Sequence, residues 1–248
     1  MQYRECDVTS PQNQKGDYMK TLLPIIFAFA VSASVAFSQD DGIVSNSRPV
    51  DVNVSFNQST FESQPWTKEF RYVIVVNKAN TGKEAQTVKV YEYGQLISTQ
   101  KVSTGRDAFE KKGEHHSKRD SWTVTPTGYY TPTFLSRLHK SSAYGGKFSW
   151  LTGGTKMPFA IFFNGGIALH ERPNGTEGML GKKASGGCIR LPAGFAEELF
   201  QRVQETAGSR NPRFNVDGTA KLDEAGKQMY STKDGYSTLV VVQNKIID

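Results

Sequence analysis

Ser185-Gly186-Gly187-Cys188-Ile189-Arg190-Leu191-Pro192, lying downstream of His170, is the stretch on which the reading of this chain turns. A thiol becomes a strong nucleophile only as the thiolate, and near neutral pH an imidazole is the usual base that makes it one. Two glycines ahead of the cysteine leave backbone N–H groups open to an incoming carbonyl oxygen, the arrangement an oxyanion hole requires. An inert buried cysteine is the alternative, and Ser-Gly-Gly is a poor lead-in to a buried strand or helix. The only other cysteine, Cys6, sits at the extreme N-terminus.

Outward from that turn the chain reads as short strands. Phe159–Phe163 and Ile167–Leu169 flank Asn164-Gly165-Gly166, a hairpin signal that leaves His170 at the end of the second strand. Tyr72–Val76 is an apolar run of strand length, Val88–Tyr91 alternates, and Tyr93-Gly94-Gln95 turns the chain toward Leu96-Ile97 and Lys101–Gly105. Arg106–Asp120 reads as a charged solvated loop, Trp122–Val124 as a strand and Ser136–Lys156 as a Gly-, Ser- and aromatic-rich loop. After the cysteine, Pro192 suits a first helical turn, and Phe195, Leu199, Phe200 and Val203 make one apolar stripe. Residues 208–235 form a polar, turn-rich insertion, and Leu239–Val242 is a closing buried strand. The expected fold is mainly β and β-sandwich-like, with one clear helix after the cysteine.

These pieces, in this order, resemble the L,D-transpeptidase (YkuD-type) catalytic domain. The likeness covers about residues 70–203 plus the last strand. It rests on the opening strands, Ser103-Thr104-Gly105, Thr125-Pro126-Thr127-Gly128, the strand into His170, and Ser-Gly-Gly-Cys-Ile-Arg-Leu. The chain departs from the family signature at Gly186, where relatives carry a second histidine. The resemblance implies a cysteine acyl transfer on peptidoglycan stem peptides, without a cofactor or metal. Cys188 would attack the carbonyl of the third stem residue and expel the terminal D-alanine. His170 would take the thiol proton and later activate the acceptor amine. The N–H groups of Gly187 and Cys188 would hold the oxyanion. Arg190 would either bind a stem carboxylate or brace the turn. Ser185, Gly186, Tyr144 and Trp150 complete the expected substrate contacts. Loss of the Gly186 histidine leaves four outcomes open: altered contacts with transfer kept, hydrolysis in place of transfer, a degenerate site, or another side chain filling the gap, with His139 and Tyr144 as candidates.

The N-terminal segment has the pattern of an export signal. Met19-Lys20 precedes an apolar run from Leu22 to Phe37, and Ala36-Phe37-Ser38 supplies a cleavage site before Gln39. Translation is expected to start at Met19; a retained signal anchor is the alternative. Residues 1–38 are thus assigned to the leader, 39–65 to a polar arm and 66–248 to the catalytic domain. The expected location is the periplasm or cell wall, with no membrane span in the mature chain. Cleavage leaves Cys188 as the only thiol, and in an oxidising compartment that favours a reactive role. The net charge of +6 survives cleavage, because Arg4, Lys15 and Lys20 cancel Glu5, Asp7 and Asp17. A mildly basic exported chain suits an anionic polymer such as the wall. No basic helix or nucleic-acid motif is present, so no nucleic-acid partner is expected. His115-His116 are adjacent, and no spacing of Cys or carboxylates completes a metal site around them. Lys182-Lys183 would either attract an anionic stem or remain a solvated pair. Two other functions stay open: an L,D-carboxypeptidase on the same scaffold, and a non-catalytic wall-binding protein.

Overall fold

The computed structural model describes residues 47–145 and 154–248. The expected leader and Trp150 lie outside the described residues. Two sheets carry the architecture. The first has five strands in the order β3-β2-β1-β13-β6, built from β1 (Tyr72–Asn77), β2 (Thr87–Glu92), β3 (Gln95–Lys101), β6 (Gly128–Tyr130) and β13 (Thr238–Gln243). Short β4 (Phe109–Glu110) and β5 (Ser121–Trp122) pair apart from it. The second sheet runs β10-β9-β8-β7, from β7 (Phe134–Lys140), β8 (Lys156–Asn164), β9 (Ile167–Glu171) and β10 (Ile189–Leu191). In the first sheet β1 lies parallel to β13, and in the second β10 lies parallel to β9; every other pairing within the two sheets is antiparallel.

Side-chain alternation along the strands divides the apolar residues among three layers. Tyr72, Ile74, Val76, Val240 and Val242 face inward from the first sheet, and Ile161, Phe163, Leu169, Ile189 and Leu191 from the second. Helix α2 (Phe195–Gln204) adds Ala196, Leu199, Phe200 and Val203 to that core, so the stripe read from the sequence is its buried face. The outer face of the first sheet (Val73, Val75, Leu239, Val241) is also buried. Over it lie Val54, Phe56, Phe61, Trp66 and Phe70 from the N-terminal segment, which includes helix α1 (Gln58–Ser63). Phe214 of the insertion stacks on Trp66 with ring centroids 4.6 Å apart.

The described part of the polar arm is therefore packed onto the sheet. Fully buried Lys78 anchors it by pairing with Asp51 at 2.7 Å while donating to the Thr125 carbonyl at 2.9 Å. The insertion holds isolated pairings Pro212↔Tyr230, Phe214↔Ala220 and Leu222↔Gln228. The loop expected over 136–156 is strand β7 as far as Lys140. It is the edge strand of its sheet and mostly exposed, so it lacks the apolar alternation that marks a half-buried strand. Residues 106–120 contain a buried carboxylate, Glu110, that a freely solvated loop would not hold.

Candidate active site

Strands β9 and β10 place the candidate residues. In their parallel register Ile189 lies beside Leu169 and Arg190 beside His170. Ile189, Leu191 and Leu169 point into the core, so alternation turns Arg190, His170 and Ala168 to the opposite face. Cys188, just ahead of β10, packs on that same face against the small cluster Met157, Ala160, Phe162 and Ala168. Thiol and imidazole thus share one face of two neighbouring strands. The thiol itself reaches the Gly166 carbonyl of the hairpin turn at 3.7 Å.

His170 is buried, and its Nδ1 lies 2.7 Å from the Glu171 carbonyl oxygen. A carbonyl only accepts, so Nδ1 carries the proton and Nε2 is left as the basic nitrogen. Burial pushes the imidazole pKa down to about 4; the Glu171 carbonyl opposes this, and the positive charges of Arg190 and His139 add to it. Burial raises the Cys188 thiol, against the pull of the Ala168 N–H and of Arg190. The resting pair is therefore neutral thiol and neutral imidazole.

The motifs read from the sequence turn out to be the frame of the nucleophile turn. Thr104 carbonyl accepts from the Ala184 and Ser185 N–H groups, both at 2.9 Å, and Ser103 and Arg190 exchange backbone bonds at 3.1 and 2.9 Å. Thr125 Oγ1 accepts from the Gly105 N–H at 2.9 Å and donates to the Gly187 carbonyl at 2.6 Å. A Cβ at Gly105 would stand 2.0 Å from the Thr123 carbonyl oxygen, so that close approach admits only glycine.

The expected contacts divide on inspection. Ser185 is buried; its hydroxyl donates to the Cys188 carbonyl and accepts from the Gly187 N–H at 3.1 Å, so it braces the turn and has no surface to offer a substrate. The Gly187 N–H, expected in the oxyanion hole, is committed to that hydroxyl. The Cys188 N–H makes no backbone or side-chain hydrogen bond among the described residues. Gly187 has φ +124°, a conformation that requires glycine. Arg190 lies half-buried beside His170 with no carboxylate partner among the described residues. Lys183 is paired with Asp107, which ties that lysine into the frame. His139 sits on β7 with its ring against Phe162, centroids 4.7 Å apart, on the face that bears His170. Tyr144 lies over Gly186 and hydrogen-bonds Glu110. Sequence reasoning missed Glu110 and Arg106, which pair with each other beneath the turn while Arg106 donates to the Ala184 carbonyl. Their signal, an Arg and a Glu four apart in a charged stretch, is indistinguishable from a solvated pair until the fold buries it. Among the described residues no group of three or more His, Cys, Asp or Glu stands close enough to hold a metal ion.

The family model for the L,D-transpeptidase catalytic domain, YkuD, matches residues 71–241. No curated protein sequence matches the chain. Among solved structures, an L,D-transpeptidase from Xylanimonas cellulosilytica is 19% identical, covering 69% of this chain and 59% of its own, at a TM-score of 0.42. L,D-transpeptidase 3 from Mycobacterium tuberculosis is 18% identical over 71% and 62%, also at 0.42. An L,D-transpeptidase from Mycobacterium smegmatis is 18% identical over 70% and 59%, at 0.40. The chain thus spans 59–62% of the length of these solved chains. With identities and TM-scores this low, the assignment rests on the sequence match over 71–241.

Proposed function

The chain belongs to the L,D-transpeptidase catalytic domain family, and from that premise we propose that it is an exported cysteine acyltransferase acting on peptidoglycan stem tetrapeptides. The observation that carries the reading is the shared face of β9 and β10. There, a histidine whose Nδ1 is fixed as the donor shares a surface with the only cysteine among the described residues.

In this mechanism Cys188 Sγ attacks the carbonyl carbon of the third stem residue as His170 Nε2 takes the thiol proton. The Cys188 N–H is the available backbone donor to the oxyanion; the Gly187 N–H joins it only if Ser185 Oγ releases it. Collapse breaks the amide bond, His170 protonates the leaving nitrogen, and D-alanine departs. The thioester on Cys188 is then attacked by an acceptor amine: the new amide bond forms as the C–S bond breaks, the amine's proton passes to His170, and His170 returns it to the departing Cys188 thiolate, which restores the neutral pair. Burial suits this chemistry, because a neutral imidazole is a competent base at neutral pH and an imidazolium is not. Arg190, cationic and beside His170, is the side chain we assign to a stem carboxylate.

Export agrees with the leader pattern at Met19–Ser38 and with a net charge of +6 suited to an anionic wall. No helix among the described residues is long and apolar enough to cross a membrane. Incubation with purified tetrapeptide muropeptides, read by mass, tests the proposal. Dimers or exchanged termini are the expected products. Tripeptide alone would reassign the protein as a carboxypeptidase, and unaltered muropeptides would leave it a wall-binding protein.

A further inference from the structure

Gly186 stands where the family signature carries a histidine, and the structure gives a reason for the glycine. Its backbone is not in the left-handed region, so conformation does not demand glycine there, in contrast to Gly187. Space does. A Cβ at 186 would lie 2.3 Å from Tyr144 Cζ, 2.3 Å from its Oη and 2.4 Å from its Cε2. The outer edge of the tyrosine ring occupies the volume a side chain at 186 would need.

Tyr144 is held there from several directions. Its neighbours are bonded to the 116–118 segment through Lys118 N–H to the Ala143 carbonyl at 2.9 Å and Gly145 N–H to the His116 carbonyl at 3.0 Å. Its own carbonyl accepts from the Thr155 N–H at 3.0 Å, and its N–H donates to Ser141 Oγ at 3.1 Å. The phenol donates to Glu110 Oε2 at 3.3 Å. Glu110 is buried and pairs through its other oxygen with Arg106 Nε, and Arg106 Nη1 donates to the Ala184 carbonyl at 2.7 Å. The chain of contacts leaves the turn at Ala184 and returns to it at Gly186. The result is a fixed clamp two residues from the nucleophile.

Resting on the acyl-transfer reading above, we infer that Tyr144 is a positioning and specificity residue: its ring, admitted by Gly186, walls one side of the Cys188 thioester and directs the acceptor to the other. With the ring removed, water and bulkier groups reach the sulfur from the Gly186 side. A side chain at 186 displaces the ring from the place where its Glu110 bond holds it, so each substitution at 186 is relieved by one at 144.

Four variants test this: Tyr144→Ala, Tyr144→Phe, Gly186→Ala and the Tyr144→Ala/Gly186→Ala pair. Thermal melts identify folded protein. Cys188 is alkylated in parallel with iodoacetamide and with a bulky N-aryl maleimide, and muropeptide products are weighed. In Tyr144→Ala the maleimide-to-iodoacetamide rate ratio and the tripeptide-to-dimer ratio should each rise about tenfold, equivalent to ~1.4 kcal/mol of selectivity. Tyr144→Phe keeps the ring's bulk but loses its one hydrogen bond, to Glu110, so both ratios should rise by less than in Tyr144→Ala. Gly186→Ala should lose stability, and the double variant should recover most of it. If Tyr144→Ala does not fold, Tyr144→Leu, too short to overlie Gly186, carries the same ratios. Unchanged ratios in the folded variant, or a Gly186→Ala that melts like the parent, overturn the inference. A parent that makes no muropeptide product defeats the acyl-transfer reading instead, and the alkylation ratio still decides whether the wall exists.

Discussion

His170 illustrates what a single residue owes to its surroundings. Its ordinary pKa of 6.5 falls to about 4 on folding, because burial strips solvent from the charged form. Between those two values the unfolded chain binds more protons than the folded one, so stability rises with pH across that window. The contribution is complete above about pH 6.5 and is lost as pH falls through about 4, a swing of about 3 kcal/mol. Urea unfolding at pH 7 and pH 4 should therefore show a parent that loses about 3 kcal/mol more than His170→Gln; equal losses would contradict it. The same neutral imidazole should put the acid limb of the kcat/KM profile near pH 4. His170 and Cys188 stand out in the sequence, because a histidine closing a strand and a cysteine closing Ser-Gly-Gly have few structural uses, and the fold puts both on one face of β9 and β10. Read locally, Ser185 is a substrate contact and the Gly187 N–H an oxyanion donor; nothing local shows that the serine hydroxyl turns back on its own turn.

At the scale of elements, Thr125 joins three segments far apart in the chain. One hydroxyl serves the Gly105 N–H and the Gly187 carbonyl, and fully buried Lys78 donates to the Thr125 carbonyl. Thr125→Val keeps the shape and leaves two buried polar groups without a partner. Each such group costs about 1–3 kcal/mol, so a loss of about 3 kcal/mol is expected in chemical unfolding. The turnover of the folded fraction should fall as well, since the Gly187 carbonyl belongs to the nucleophile turn. A change under about 0.5 kcal/mol, the size of a neutral surface substitution, would contradict the frame. Strands β1, β2, β8, β9 and β13 were readable because apolar alternation or a wholly apolar run marks them. β7 was not, because an edge strand with both faces largely wet has no such pattern. Tyr144 and Glu110 come together through tertiary packing, which local periodicity does not encode.

For the whole molecule, the two covered faces of the first sheet leave the outer face of the second as the surface that carries the candidate pair. The N-terminal segment and the 208–235 insertion are the cover, joined by the Trp66–Phe214 stack. Their polar composition hid this, since a few aromatics among many polar residues suffice to cover one sheet. Trp66→Ala should cost about 3–5 kcal/mol in unfolding, the range for a buried aromatic, while Cys188 alkylation in the folded protein stays at the parent rate. A fall in alkylation would mean that the cover also shapes the site. Whether Cys188, served by His170, carries the acyl group is read from the intact mass of the protein, and from D-alanine release, during turnover of a stem tetrapeptide. The parent should gain the mass of a tripeptide acyl group on Cys188 as D-alanine is freed. Cys188→Ala, folded as the parent is, should gain no mass and free none. Release of D-alanine by Cys188→Ala at the parent rate would take that role from Cys188.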